Sequence, residues 1–270
     1  MAIITISRGS YSKGKEVAEK VAARLGYECI SREVLLDASD RFNIPEVRLI
    51  RAIHDAPSIL DRFSHGKQAF MAYIRYALAC RAQKDNLVYH GLAGHVLLLG
   101  IPHVLKVRVI ANLEDRVKSE MSREKISEEE ARSLILRDDQ ERRKWTRSLY
   151  GLDPWDSALY DLVLHIHKLT VDDAVAFICE AAKLKQFEST PETRRKMDDL
   201  VTACEVKALL ADEYMDVRVA CEFGNVLIYT KSGGRLQHKL QESARKLGRE
   251  IKGIHHVEVH PGVPTPAQAV

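Results

Sequence analysis

Short β-branched runs alternate with longer amphipathic stretches over the first two thirds of the chain. Ile3-Ile4-Thr5-Ile6 has the unbroken apolar character of a strand covered on both faces. Val17, Ala18, Val21, Ala22 and Leu25 then recur at helical spacing, and Gly26 supplies the stop. Tyr27 to Ile30 predicts a second strand, Arg32 to Asp85 a mostly helical stretch, Leu87-Val88-Tyr89 a third strand and His103 to Ile110 a fourth. Two charged helices follow, Leu113 to Glu124 and Ser127 to Leu149, the second opening with the capping-box spacing of Ser127 and Glu130. Tyr160 to His167 predicts the fifth strand and Val171 to Lys185 a closing helix. Strands joined by helical connections of this length imply an α/β fold, a five-stranded parallel sheet flanked by helices.

Beyond residue 186 the pattern changes. QFESTPET, from Gln186 to Thr193, is polar and holds Pro191, so it reads as a linker. Helix (Arg194 to Leu210), strand (Val217 to Glu222), strand (Val226 to Thr230), helix (Leu236 to Gly248) and strand (His255 to His260) come next. Phe223-Gly224-Asn225 between two alternating runs predicts a hairpin. This order makes a small α+β unit of αββαβ type. The predicted division is 1–186, a linker over 187–193, the small unit over 194–262 and a frayed tail over 263–270.

Composition narrows the class. A length of 270 residues suggests about two domains, and 46% apolar with 29% charged residues is the make-up of a folded protein. The net charge of +3 is small and its charges interleave, so no nucleic-acid partner is expected. No run approaches the roughly 18 to 20 uncharged apolar residues of a membrane helix, and no membrane partner is expected. Ala2 to Ile6 opens on a strand without a basic lead-in, so no secretory leader is expected either. Five scattered cysteines without a Cys-x-x-Cys pair fit a reducing compartment, which predicts a cytoplasmic protein.

The sharpest local signal is the run from Gly9 through Ser10, Tyr11, Ser12, Lys13, Gly14 and Lys15 to Glu16. Its Gly-x4-Gly-Lys spacing falls directly after a strand and before a helix, where backbone N–H groups and the helix dipole cradle phosphates and a lysine adds a point charge. Glu16 stands where a Ser or Thr hydroxyl usually ligates Mg²⁺, so Ser7, Ser10 and Ser12 are the alternative donors.

The opening ITISRGSYSKGKEVAEKVAARLG, the block RVKSEMSREKISEEEARSLILRDDQERRKW and the strand Leu159 to Leu164 occur in the order of the cytidylate kinase-like family, which this chain resembles over about residues 1 to 185. The resemblance implies a P-loop nucleoside monophosphate kinase fold, ATP with Mg²⁺, and nucleotide substrates. It makes Glu16 a family feature and carries a lid motif onto Asp139 and Arg142, with Arg137 opening an Arg-Asp pair. Such arginines would stabilise charge on a transferred phosphoryl group beside Lys15, although a charged helix is also simply a solvated one. The family's Asp-Arg pair after strand two reads here Ser31-Arg32, and its Gly-Arg-Gly after strand three reads His90-Gly91-Leu92. Ser31, Arg32 and His90 are therefore the acceptor-side candidates, and the acceptor is left open.

Other features are weaker. His90 and His95 lack the spacing of a metal pair, and His255, His256 and His260 cannot all share one strand face, so no resident metal site is expected. His54-Asp55 reads as a surface pair or a substrate contact, and Ser232-Gly233-Gly234-Arg235 as a turn or an anion-binding helix start. The order of elements in the small unit resembles a BON-type domain. Two functions stay open: phosphoryl transfer to a CMP- or dCMP-like acceptor, or a nucleotide sensor that relays its state through the C-terminal unit. Homo-oligomerisation is open as well.

Overall fold

The computed structural model describes residues 2–54, 64–231, 234–262, 264–266 and 269–270. Asp55, the His54 side chain, Ser232 and Gly233 lie outside what is described, and with them the two weak motifs above. Among the described residues no helix is long and apolar enough to cross a membrane.

Five strands, β1 (Ile3–Arg8), β2 (Glu28–Ile30), β3 (Leu87–Tyr89), β4 (Val104–Ala111) and β5 (Leu162–Ile166), form one parallel sheet in the order β2-β3-β1-β4-β5. The predicted α/β class is correct. Ile3, Leu87, Tyr89 and Val104 face one apolar cluster, while Ile4, Ile6, Val88, Leu105, Val107 and Val109 face the other. This alternation is why the strands carry apolar residues at nearly every position. The second cluster is closed by α1 (Gly14–Leu25) and α8 (Val171–Ala181). On the first lie α2 (Glu33–Phe42), α3 (Glu46–His54), α4 (Ser64–Ala82) and the single turn α5 (Gly94–Leu97). Two further helices follow, α6 (Leu113–Glu124) and α7 (Glu128–Tyr150), and α7 begins on the capping box predicted from Ser127 and Glu130.

Two boundaries differ from the sequence expectation. The last strand of this sheet begins at Leu162, because Ser157–Leu159 form a 3-10 turn that delivers Tyr160 behind the site. The helix expected from Arg194 starts earlier, as α9 (Pro191–Leu210). Thr190 accepts a hydrogen bond from Thr193 N, and Pro191 sits in the first turn, where its missing N–H costs nothing.

A second, three-stranded sheet joins β6 (Arg218–Glu222) antiparallel to β7 (Asn225–Thr230), and β7 parallel to β8 (His256–Pro261). The connection from β7 to β8 is α10 (Gly234–Glu250). The hairpin turns through Phe223 (φ 51°) and Gly224 (φ 74°), both left-handed, as a tight two-residue turn requires. Asp199 holds Phe223 there by accepting from the N–H groups of Phe223 (3.0 Å) and Gly224 (3.1 Å). α9 packs along α4, and Leu78 and Ala82 share one continuous cluster with Met197 and Leu200. The tail, expected to fray, instead pairs at Val270, whose N–H and carbonyl both bond to Val219 (2.8 and 3.1 Å).

Candidate active site

The C-terminal ends of β1, β3 and β4 open onto one cleft, the position where parallel α/β sheets bind ligands. The loop after β1 is wound by left-handed residues at Tyr11 (φ 59°) and Lys13 (φ 61°), and Lys13 is the N-cap of α1. Gly14 is obligatory for a different reason: a Cβ there would lie 2.6 Å from Arg8 Cβ. The Ser12 hydroxyl is buried and lies 2.9 Å from Gly9 O and 3.0 Å from Val109 O, so it ties the loop to β4 and is engaged in that task. Ser10 has a buried hydroxyl with no hydrogen-bond partner among the described residues. Glu16 is turned outward to Lys20 (3.2 Å), and the Lys15 ammonium lies on the outer side of α1, 3.6 Å from Glu19.

The loop holds an anion in this conformation. Ser10 N–H donates to the Asp139 carboxylate (2.9 Å) of α7, whose other oxygen accepts from Arg116 Nη1 (2.7 Å). Arg116, from α6, also donates to Ser10 O (3.0 Å), and Tyr11 donates to Asp138 (2.9 Å). Helix α7 thus sits on the loop through two consecutive carboxylates. A carboxylate accepted by this backbone is direct support for its preference for negative charge.

Beside α7 a cavity of about 430 Å³ is lined by Arg8, Ser31, Arg32, His90, Arg142 and Trp145 among others. A smaller recess next to it is lined by Arg8, Ser7, His95, Arg108, Asp139, Arg142 and Arg143 among others. Arg8 and Arg142 line both. Arg8 is largely buried and its Nε has no hydrogen-bond partner among the described residues. Burial, and then the nearby Arg142 guanidinium, both bear against its charge and push its pKa down. Asp138, Asp139 and Glu141 also line these walls, with Asp138 and Asp139 engaged by the loop. Neither arginine has a carboxylate in salt-bridge reach among the described residues, which leaves both guanidinium groups open to an anion.

The turn after β3 forms the floor. Cβ atoms at Gly91 and Gly94 would come within 2.3 and 2.5 Å of the Tyr89 ring, so only glycine lets the chain fold back over it. The turn leaves His90 buried, with Nδ1 unpartnered among the described residues. Burial first, then the charges of Arg8 and Lys15, push the His90 pKa down, which keeps the ring neutral at pH 7. Glu33 accepts from Ser31 N–H (2.6 Å), and Arg32 lies 3.7 Å from Glu46 at the rim. His95 is pushed down to about 4 by burial, with the charges of Arg108 and Lys106 adding to the effect. Its Nε2 lies 3.2 Å from the Tyr160 hydroxyl, which donates to Pro154 O (2.9 Å) and joins the ends of β1 and β4 through Ser7 (3.2 Å) and Arg108 (3.4 Å).

Of the sequence-predicted residues, Gly9, Tyr11, Ser31, Arg32, His90 and Arg142 line the cleft or the recess, and Ser10, Ser12, Lys13, Gly14 and Lys15 complete the loop beside it. Arg137 stands apart, 67% exposed and 3.7 Å from Asp138. Sequence reasoning missed Arg8, Arg108 and Arg116. A signal existed for Arg108: Lys106 and Arg108 occupy alternate positions of a strand whose other face, Leu105, Val107 and Val109, is fully buried.

Residues 3–168 match the model of the cytidylate kinase-like family. The chain is 32% identical over 105 residues to a cytidylate kinase of Methanopyrus kandleri, covering 36% of this chain and 54% of that relative, about half its length. It is 25% identical over 187 residues to a cytidylate kinase of Sulfolobus acidocaldarius, covering 69% of this chain and 97% of the relative. A crystal structure of an uncharacterized protein from Eubacterium ventriosum shares the fold, with a TM-score of 0.53 at 19% identity over 68% of this chain and all of that one. A family match over more than half of the sequence, with the parallel sheet and anion-holding loop just described, establishes that the chain belongs to the cytidylate kinase-like family.

Proposed function

We propose that this protein transfers the γ-phosphoryl group of ATP to a nucleoside monophosphate of CMP or dCMP type, or to a related small acceptor. The observation that carries this reading is the convergence of Arg8 and Arg142, without carboxylate partners among the described residues, beside a loop whose Ser10 N–H already donates to an anion. In the transfer, an acceptor phosphate oxygen forms the new bond to the γ-phosphorus and the bond to the β–γ bridging oxygen breaks, releasing ADP. The protein's task is positioning and charge stabilisation, so no general base is required. The loop from Gly9 to Glu16 and Lys15 hold the donor; Arg142 and Arg8 meet charge on the group in flight; Ser31, Arg32 and His90 flank the acceptor. Arg137 is placed to join only through movement of α7.

Mg²⁺, when bound, neutralises the donor phosphates. The donor set fits an ion carried mainly by phosphate and water, with the unpartnered Ser10 hydroxyl as the loop ligand; Glu16 and Ser12 are otherwise engaged.

The seating of Asp139 on the loop favours a second reading, in which the core senses nucleotide as the donor phosphates displace that carboxylate. One experiment separates the two: calorimetric titration with ATP and Mg²⁺, then an ADP-release screen over CMP, dCMP, UMP, AMP and GMP. Binding with acceptor-dependent release in wild type, lost in Lys15→Ala with an unchanged circular dichroism spectrum, is the expected result. Binding without release on any acceptor favours the sensor, and no binding removes both.

A further inference from the structure

A second cavity, of about 860 Å³, lies at the C-terminal end of α7, between α4, the last turn of α7, α9 and the three-stranded sheet. Its size falls within the range of about 300 to 1,000 Å³ typical of small-molecule sites. We infer that it is a binding site for a small organic anion carrying an apolar ring or chain, separate from the nucleotide cleft.

The first observation is charge. Arg75 from α4, Lys207 from α9, Arg218 from β6 and Lys231 just after β7 line the cavity, against the side-chain carboxylate of Asp216 and the terminal carboxylate of Val270. Asp216 is engaged, with Oδ2 accepting from Thr230 Oγ1 (3.0 Å) and Lys231 N–H (2.9 Å). None of the four cations takes part in a salt bridge among the described residues. Arg75 donates to a carbonyl, Leu97 O (3.0 Å), and like charges gathered around a cavity without salt bridges make it favourable for an anion. Lys207 is also fixed in place, since its ammonium donates to Met215 O (3.3 Å) and to Val217 O. Burial, and secondarily Arg218, pull its pKa down to about 8, the response of an ammonium held among cations in a poorly solvated wall.

The second observation is polarity. Met71, Leu149 and Tyr229 give the cavity an apolar lining beside the cations, with Tyr229 directly across the strand pair from Arg218. The Tyr150 hydroxyl, at the end of α7, is buried and has no hydrogen-bond partner among the described residues. A buried hydroxyl without a partner is unusual in folded proteins and is often found where a ligand group or water completes it. An inorganic ion would leave the apolar side unused and a hydrocarbon would leave the cations unmet, so both parts belong to one molecule.

The site is separate from the cleft, although α7 lines both. Arg142 and Trp145 line the nucleotide cleft, while Leu149 and Tyr150, further along the helix at its C-terminal turn, line this cavity. Two sources supply the required chemistry, a nucleotide and an aryl or acyl carboxylate.

The full-length protein is titrated with 8-anilinonaphthalene-1-sulfonate, which combines an anionic group with aromatic rings, and dye fluorescence is followed while near-ultraviolet circular dichroism confirms the native state. We expect one saturable site per chain, weakened about tenfold in the Arg218→Glu/Lys231→Glu variant, whose changes fall on exposed side chains. Tyr150→Phe weakens it about threefold. Binding is retained in Arg142→Ala. Displacement by ADP marks a nucleotide ligand, and displacement by naphthalene-1-carboxylate marks a carboxylate. Absence of saturable binding, equal affinity in the double variant, or loss of binding in Arg142→Ala overturns the inference.

Discussion

The two flanks of α7 carry arginines of opposite kinds. On one flank Arg143, at the edge of the recess, makes a bidentate pair with Asp153 (2.6 and 3.0 Å) and lies 4.0 Å over the Trp155 ring, and Arg147 shares the same carboxylate (2.6 Å). On the other, Arg142 lines the cleft beside Arg8 without a carboxylate of its own among the described residues. The residues are adjacent in sequence and identical in chemistry. Their difference lies in what faces them: a partner supplied by the protein makes an arginine a brace, and an absent partner leaves it for a ligand. The charge run that reads as one motif in the sequence is thus two devices on one helix.

Removing Arg142 should have the largest effect. Arg142→Ala is expected to lower kcat about 10²- to 10³-fold with little change in melting temperature, measured by ADP release and thermal unfolding. Arg8→Met should weaken ATP or acceptor binding about tenfold, and it should leave stability equal or raised, because a buried cation opposed by Arg142 is removed. A fall in stability with unchanged binding would show Arg8 to be a brace instead.

How far each flank was legible follows from where its partners lie. The five strands, the phosphate-loop motif and Arg142 are local features, carried by apolar period and motif spacing, whereas the strand order β2-β3-β1-β4-β5 is set by the packing of the helices and is read only from the structure. Arg8 and Arg116 become site residues only when β1, α6 and α7 converge on the loop, which no local spacing encodes. Gly91 and Gly94 read as a plain turn, whereas their requirement comes from the Tyr89 ring beneath them. The start of α9 was legible in principle, since Thr190 and Pro191 are cap and first-turn signals hidden in a stretch that also reads as linker.

Smaller effects sharpen the contrast further. Arg143→Ala should leave kcat within about threefold while lowering the melting temperature. The hydrogen bonds from Arg143 first, then the Trp155 N–H and the charge of Arg147, hold the Asp153 carboxyl well below the usual carboxylate range. A depressed folded-state pKa stabilises above the unfolded value of about 3.9 and loses that stabilisation as the pH falls through the folded value. The melting-temperature gap between wild type and Arg143→Ala should therefore hold from pH 7 to pH 5 and close on further acidification. Asp139→Asn should have the smallest effect, tightening ATP about threefold as the charge competing for Ser10 N–H is neutralised.

The most direct test of the central claim is acceptor-dependent ADP release with ATP and Mg²⁺, run in parallel on wild type, Arg142→Ala and Arg143→Ala. The account predicts release on at least one pyrimidine monophosphate, lost in Arg142→Ala and kept in Arg143→Ala. Equal loss in both variants, or release untouched by Arg142→Ala, would contradict it.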